Sequence, residues 1–173
     1  DLSRSSEIYP VGDAWKGGAD PAQLLVLPSG RVAVALAGTG EIGILHDGDY
    51  RLQRIDTLAR PTALAHSPDG ARLYVADEFA DRVATIDVIL GEQIADVALG
   101  PQPALTAVER GRRLFYSGEL SHGNWMSCQS CHPDGHSNGF LNDNLGDGTF
   151  GAPKRVLSLL GVGQTAPWGW NGG

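Results

Sequence analysis

The sequence predicts a mixed fold class, in which about two β-sheet repeats are followed by a mostly α-helical domain. Three observations lead to this prediction. Turn and strand signals recur about every 40 residues in the first two thirds of the 173-residue chain. A helix-start signal follows near residue 106, and both cysteines of the chain lie in one short run at residues 128–132. We therefore expect a connecting segment over 1–20, sheet repeats over 21–104 and a second domain over 105–173.

Each repeat consists of a proline- or glycine-containing turn followed by residues that favour strands. Pro21, Pro61 and Pro101 are spaced by 40 residues, and the turn at 28–30 (Pro-Ser-Gly) is matched by the turn at 68–70 (Pro-Asp-Gly). The strand-like runs lie at residues 31–35, 41–45, 72–76 and 82–87. Short strands separated by such turns, with a period of about 40 residues, are typical of β-propeller blades. The sequence therefore predicts all-β propeller-type blades, about two of them.

One part of the repeat also carries a resemblance. Residues 67–76 read Ser-Pro-Asp-Gly-Ala-Arg-Leu-Tyr-Val-Ala. This unit resembles the repeat of lactonase-like seven-bladed propellers, where it ends in a pair like Ile86-Asp87. The alternative is a β-sandwich or a small antiparallel sheet with accidental spacing. Closed propellers have about four to eight blades, so the propeller interpretation requires further blades, from the rest of a longer protein or from other chains.

A helix is predicted directly after the repeats. Thr106 and Glu109 fit a capping box, in which each side chain accepts a hydrogen bond from the other residue's backbone N–H. We expect this helix to run through Tyr116. The alternative is a strand of the next blade, because residues 111–116 lie 41 positions after residues 70–75.

The five residues at 128–132 read Cys-Gln-Ser-Cys-His, which is the attachment sequence of a c-type haem. Two thiols on one helical turn can each add across a haem vinyl group. The histidine that follows then lies under the macrocycle as the proximal iron ligand. Cys128 and Cys131 are the only cysteines of the chain. If both bind haem, no cysteine is left for a disulfide. The sequence predicts one covalent haem c, held by Cys128, Cys131 and His132.

Two other kinds of site use similar residues. Cys128, Cys131, His132 and His136 have the ligand types of a Cys2His2 zinc site, although structural zinc sites usually take their two ligand pairs from separate segments. A redox pair of thiols would need both cysteines but not the histidine. We favour haem because its attachment requires both cysteines and also the histidine that follows them.

Composition excludes several classes of partner. The formal net charge is −7 and the basic residues are scattered, which disfavours nucleic acid. No apolar stretch approaches the roughly 20 residues that cross a bilayer, so no membrane span is expected. The first residues do not form a signal peptide, and we expect any export signal to have been removed or to lie outside the chain. Because haem is attached through thioethers outside the bacterial cytoplasmic membrane, we predict a periplasmic or extracytoplasmic location.

Five short motifs follow one another in the last third of the chain. They are Gly-Arg-Arg-Leu-Phe-Tyr at 111–116, Leu-Ser at 120–121, Ser plus the haem run at 127–132, an apolar segment with Lys-Arg at 153–159, and Trp-Gly-Trp-Asn-Gly at 168–172. This order resembles the first haem domain of the bacterial di-haem cytochrome c peroxidase family, which includes the di-haem enzymes of methylamine utilisation. The resemblance implies a mostly α-helical c-type cytochrome domain over residues 105–173.

The resemblance also implies an activity. In that family peroxide reacts at a haem iron with one protein ligand, and a second haem domain delivers the electrons. We therefore predict part of a peroxidase-like oxidoreductase that reduces peroxide or oxidises a substrate, with an electron donor or acceptor protein or a second haem domain as partner. Trp168 and Trp170 would carry electrons between haems or pack in an interface, and Arg155 would pair with a haem propionate. The alternative is a mono-haem electron-transfer domain docked by a propeller, without catalysis.

The chain departs from the family at two points. It contains no second Cys-x-x-Cys-His run. In some members a histidine about 16 residues after the haem motif closes the sixth iron position, and residues 145–150 of this chain contain none. An open iron is therefore favoured. Among the side chains of this chain, His136 is the first candidate for the sixth ligand and His122 the second.

Overall fold

The computed structural model describes residues 10–46, 51–102, 104–143, 148 and 150–168. The chain forms two compact units, Asp1–Ser127 and Cys128–Gly173. The predicted domain boundary at residue 105 stays a prediction, because compactness alone does not define where a domain begins. In the described part of the chain, no helix has the length and apolar character needed to cross a membrane.

The first unit contains two four-stranded antiparallel sheets, each with its strands in sequence order. The first sheet consists of β1 (Pro21–Val26), β2 (Val32–Leu36), β3 (Glu41–Leu45) and β4 (Leu52–Asp56). The second consists of β5 (Pro61–His66), β6 (Arg72–Asp77), β7 (Arg82–Asp87) and β8 (Glu92–Ala98). This up-and-down order is that of a propeller blade, so the predicted strand runs and the blade-type sheets are confirmed.

The turns of the repeat are built as their residue types require. Gly30 and Gly70 follow their prolines by two residues and have φ angles of 84° and 69°. These values lie in the left-handed region, which glycine enters without steric cost. Each glycine N–H closes its turn, from Gly30 to the Leu27 carbonyl and from Gly70 to the Ser67 carbonyl. The matching turns therefore set up two equivalent hairpins.

The main hydrophobic core lies between the two sheets. Successive side chains of a strand point to opposite faces, so each sheet contributes one face to this core. Its members are Leu27, Ala33, Ala35, Ile42, Ile44, Ile55, Leu64, Leu73, Val75, Ala84, Ile86 and Val88. Gln23 also connects the two sheets, because its side-chain carbonyl accepts a 2.6 Å hydrogen bond from the backbone N–H of Leu64.

Helix α1 (Ala107–Tyr116) follows the second sheet in the chain, and its capping box is confirmed. The Thr106 hydroxyl accepts from the Glu109 N–H at 3.2 Å, and the Thr106 N–H donates to the Glu109 carboxylate at 2.6 Å. The alternative of a further strand is wrong. The buried Arg60 guanidinium lies 4.0 Å from the ring centroid of Tyr116, and Arg112 pairs with Glu78. These contacts hold the helix against the loops of the second sheet.

The second unit contains little regular structure within its described residues. Helix α2 (Cys128–Cys131) is a single turn, and strands β9 (Leu141–Asn142) and β10 (Lys154–Arg155) form a two-residue antiparallel pair. Short 3-10 turns lie at Pro133–Gly135 and Val162–Gln164.

The prediction of a mostly α-helical c-type cytochrome domain after the blades is therefore wrong. Within the described residues, α1 and α2 are the α-helices, and the protein is mostly β. Glycine and proline recur at short intervals after residue 132 and break the helical conformation. Gly139 and Gly161, for example, have φ angles of 75° and 78°, which a right-handed helix does not contain.

A buried ion pair stabilises the first sheet. Glu41 is 3% exposed; it accepts a hydrogen bond from Arg54 Nε at 3.2 Å and pairs with Lys16 Nζ at 2.7 Å. Burial alone would raise the pKa of Glu41, but the hydrogen bonds from Arg54, Lys16 and Thr39 outweigh it and lower that pKa below its ordinary value. The folded protein therefore favours the ionised carboxylate.

We expect Glu41→Gln to lower the free energy of unfolding by about 3 kcal/mol at pH 7, because the Arg54 side chain, which is only 12% exposed, loses its counter-charge. A lowered folded-state pKa stabilises the fold above the unfolded value of about 4.5, and this stabilisation is lost as the pH falls through the folded-state pKa. Urea denaturation at several pH values measures both effects. The exposed Glu92→Gln is the control and should change stability by less than about 0.5 kcal/mol. A stability difference for Glu41→Gln that stays constant from pH 7 to pH 3 would contradict this account.

Candidate functional site

The two cysteines of the Cys-x-x-Cys-His run begin and end one helical turn, and the histidine follows it directly. Cys128 and Cys131 are the first and last residues of α2, and the His132 N–H donates to the Cys128 carbonyl at 2.9 Å. Residues three apart on a helix are neighbours on its surface, so the two thiols lie on one face. Neither cysteine is in a disulfide; Cys128 is exposed and Cys131 half-buried. The turn therefore carries two free thiols directly before the histidine in the chain.

The imidazole of His132 is oriented by a backbone carbonyl. Its Nδ1 lies 2.8 Å from the carbonyl oxygen of Leu157. A carbonyl oxygen only accepts hydrogen bonds, so Nδ1 carries the proton and donates it. In the neutral ring the lone pair is then on Nε2, the atom that remains for a metal ion. A hydrogen bond of this kind fixes the ring orientation and raises the basicity of the ligating nitrogen.

The Leu157 carbonyl is held in place by bonds between two neighbouring segments. The Ser137 hydroxyl donates to the Val156 carbonyl at 2.5 Å, and the Leu159 N–H donates to the Gly135 carbonyl at 2.7 Å. These two bonds flank residue 157 on both sides. The loop after the haem run and the segment after β10 are thereby joined, so the acceptor for His132 has a defined position.

A cavity of about 540 Å³ lies beside His132. This volume is within the range of about 300–1,000 Å³ that is usual for small-molecule sites. Four of the predicted site residues line it: Cys131, His132, Arg155 and Trp168. Its apolar wall is formed by Val156, Leu157, Leu159, Leu160, Val162 and Pro167.

The apolar side chains of the second unit are open to solvent. Every described residue of this unit is half-buried or exposed, and Leu157, Leu160 and Trp168 at the cavity are among the exposed ones. Contiguous exposed apolar surface usually marks a binding site for a ligand or a partner. The described residues of this unit therefore form no buried core of their own.

The other predicted site residues either do not line the cavity or lie outside the described part of the chain. Cys128 is on the same helical turn as Cys131 but does not line the cavity. His136 is exposed and also lies outside the cavity wall, so its role as sixth ligand stays a prediction. Trp168 donates its indole N–H to the Val162 carbonyl at 2.7 Å. Trp170 lies outside the described residues.

Strand β10 contributes two charged side chains to the cavity wall. Lys154 and Arg155 both line it; Arg155 is exposed, while Lys154 Nζ donates to the Ala152 carbonyl at 2.8 Å. The predicted interaction of Arg155 with a propionate stays a prediction. The Cys2His2 zinc alternative finds no support in the described residues, where no three His, Cys, Asp or Glu side chains come together as a metal-ligand set.

Sequence reasoning missed two contributors to the site. The first is the backbone carbonyl of Leu157, which accepts the hydrogen bond from His132 and for which no residue type is a signal. Asn142 lies in the cavity wall, and its side-chain amide donates to Cys131 Sγ at 3.7 Å. Its position depends on the pairing of β9 with β10, and two-residue strands leave no pattern in the sequence.

Comparison with known proteins gives likenesses of fold only. No family model matches the sequence, and no curated protein matches it. Among solved structures the chain is similar to hydrazine synthase of Kuenenia stuttgartiensis, with 22% identity and a TM-score of 0.45 over 54% of this chain and 26% of that one. It is similar to dihydro-heme d1 dehydrogenase NirN in complex with DHE, with 20% identity and a TM-score of 0.46 over 54% and 21% of the two chains. It is also similar to apo AztD from Citrobacter koseri, with 18% identity and a TM-score of 0.40 over 50% and 24%.

These matches cover about half of this chain and 21–26% of the three proteins. The chain thus corresponds to only part of each of them. No match to the di-haem peroxidase family is found among the family models or the curated proteins. The case for a function therefore depends on the residues of the second unit.

Proposed function

We propose that the second unit binds one haem c covalently through Cys128 and Cys131, with His132 as an axial ligand of the iron. The hydrogen bond from His132 Nδ1 to the Leu157 carbonyl is the observation that supports this most directly. It leaves Nε2 as the unprotonated nitrogen, the state that metal coordination requires. The two free thiols one turn apart and the cavity of about 540 Å³ fit the same group.

The residues around the cavity have separate roles in this proposal. The apolar side chains of Val156, Leu157, Leu159, Leu160 and Val162 would contact the bound haem. Arg155 and Lys154 provide positive charge for the propionate carboxylates, which form strong hydrogen bonds with ionised donors. Trp168 packs at the cavity and is a candidate for the electron path. When bound, the haem supplies the redox chemistry; the protein sets its ligation, orientation and surroundings.

We further propose that this unit reduces peroxide as part of a periplasmic or extracytoplasmic oxidoreductase. Reduction of one hydrogen peroxide to two molecules of water consumes two electrons and two protons, so a donor protein or a second haem domain has to supply electrons. The order of motifs between residues 111 and 172 supports this activity. Among the described residues that line the cavity, His132 is the only histidine and none is methionine, which is compatible with an open iron position.

A second candidate function is electron transfer without catalysis. The exposed side chains of Leu157, Leu160 and Trp168 favour it, because an apolar rim at a redox centre suits the docking of a partner protein. In this alternative the sixth iron position is filled and peroxide has no access.

Absorption spectra of the ferric and reduced protein distinguish the two functions. A high-spin ferric spectrum that changes when peroxide is added is expected for the peroxidase. A six-coordinate low-spin spectrum that peroxide leaves unchanged would contradict catalysis and favour the electron carrier. His136→Ala is the matched variant: it should leave the spectrum unchanged if the iron position is open, and convert low spin to high spin if His136 fills it.

A further inference from the structure

The strand pairing makes the two sheets of the first unit equivalent, residue by residue. In the first sheet Ala35 is opposite Ile42, and Ile42 is opposite Ile55. In the second sheet Ala76 is opposite Val83, and Val83 is opposite Val97. Val97 therefore occupies the place in the second sheet that Ile55 occupies in the first.

The equivalent faces of the two sheets differ in burial. The inner face of the first sheet packs against the second sheet, and its core residues are at most 4% exposed: Ala33, Ala35, Ile42, Ile44 and Ile55. We call the equivalent face of the second sheet the outer face; it consists of Tyr74, Ala76, Val83, Thr85 and Val97. Tyr74 is 39% and Val97 63% exposed, and the other three are half-buried. The outer face therefore has the strand positions of the buried inner face, but its side chains remain exposed or half-buried.

The opposite side of the pair shows the same difference. Leu24 in β1 pairs with Val34, just as Leu64 in β5 pairs with Val75. Leu64 is 7% exposed because the first sheet covers it, whereas Leu24 is 69% exposed. At the opposite end of the two-sheet stack Leu24 is therefore open, although its partner Val34 is only 4% exposed.

We propose that the outer face binds a third propeller blade, a four-stranded sheet that presents Leu and Val at the positions of Leu64, Leu73 and Val75. The molecule itself shows what covers a face of this kind, because the second sheet covers the inner face of the first. Blade-type sheets bury their faces by stacking on neighbours, and the new contact continues the existing interface by one step. The centre of the outer face carries alanine, valine, threonine and tyrosine, which suit such an uncharged contact.

A second copy of this chain is a poorer occupant. It would have to present the face of its first sheet that carries Leu24, Val34 and Arg54. Arg54 on that face donates to the carbonyl oxygens of Val11, Lys16 and Gly17, at 3.3, 2.9 and 2.7 Å. The segment around residues 11–17 therefore already covers part of it.

Photo-crosslinking tests the proposal. Val97→p-benzoylphenylalanine is introduced into the protein as its source organism makes it, and crosslinked peptides are identified by mass spectrometry after irradiation. We expect peptides from outside residues 1–173 that carry the repeat pattern of a Pro-x-Gly turn followed by a strand. The same substitution at Ile89, an exposed residue of the β7–β8 turn, is the control and should give no such peptide.

Three results would overturn the proposal. Crosslinks to peptides of residues 1–173 alone would identify a second copy as the occupant. Crosslinks to a protein without the repeat would identify another kind of partner, and the absence of a crosslink at Val97 would mean that the outer face is free. None of these results depends on haem, so the proposal and the proposed function fail independently.

Discussion

The double variant Cys128→Ala/Cys131→Ala is expected to lose all covalently bound haem. Each thioether needs the thiol of one cysteine, and the chain has no third cysteine to replace them. Haem staining of a denaturing gel measures the effect, because denaturation releases every haem that is held only by coordination. Each single variant keeps one thiol and should retain one thioether, at reduced yield.

Ser130→Ala is the matched control for the cysteine variants. It removes a side-chain atom from the same helical turn but leaves both thiols and the backbone carbonyl of residue 130 in place, so staining should equal that of the unchanged protein. Haem that survives denaturation in the double variant would refute attachment through these two cysteines.

His132→Ala is expected to keep the thioethers and lose the protein ligand of the iron. The absorption spectrum should change in both oxidation states, and peroxide turnover should fall by more than about 100-fold, since loss of a residue that only orients a ligand already costs about 10–100-fold. Added imidazole should restore part of the spectrum, because the substitution leaves space beside the cavity. His66→Ala, at the end of β5 in the first unit, is the control and should change neither the spectrum nor the turnover.

The readouts for His132→Ala separate ligation from folding. A variant that simply fails to fold would not recover with imidazole and would lose the secondary structure seen by circular dichroism. A spectrum and a reduction potential identical to those of the unchanged protein would exclude His132 as the ligand.

The sheets and the start of α1 were predictable from the sequence because local chemistry determines them. The turns at Gly30 and Gly70 need a left-handed residue at one position, and the strands on either side alternate around a common core. The capping box at Thr106 likewise involves residues only three apart, so its two hydrogen bonds could be predicted without knowledge of the tertiary fold.

The second unit was harder to predict, and the reasons are physical. The expected helical domain was inferred from an order of motifs, whereas the glycines and prolines after His132 favour turns. The position of the Leu157 carbonyl depends on contacts of Ser137 and Gly135 with a segment about 20 residues further on. Contacts of backbone atoms over such distances have no sequence signature. The Cys-x-x-Cys-His run was recognisable because its chemistry is contained in five consecutive residues.

The mass of the intact protein under denaturing conditions, measured on material from its source organism, tests the central claim most directly. The account predicts the mass of the polypeptide plus one haem, with both cysteines unavailable to a thiol reagent. A mass equal to that of the bare polypeptide, with Cys128 and Cys131 both reactive, would contradict it.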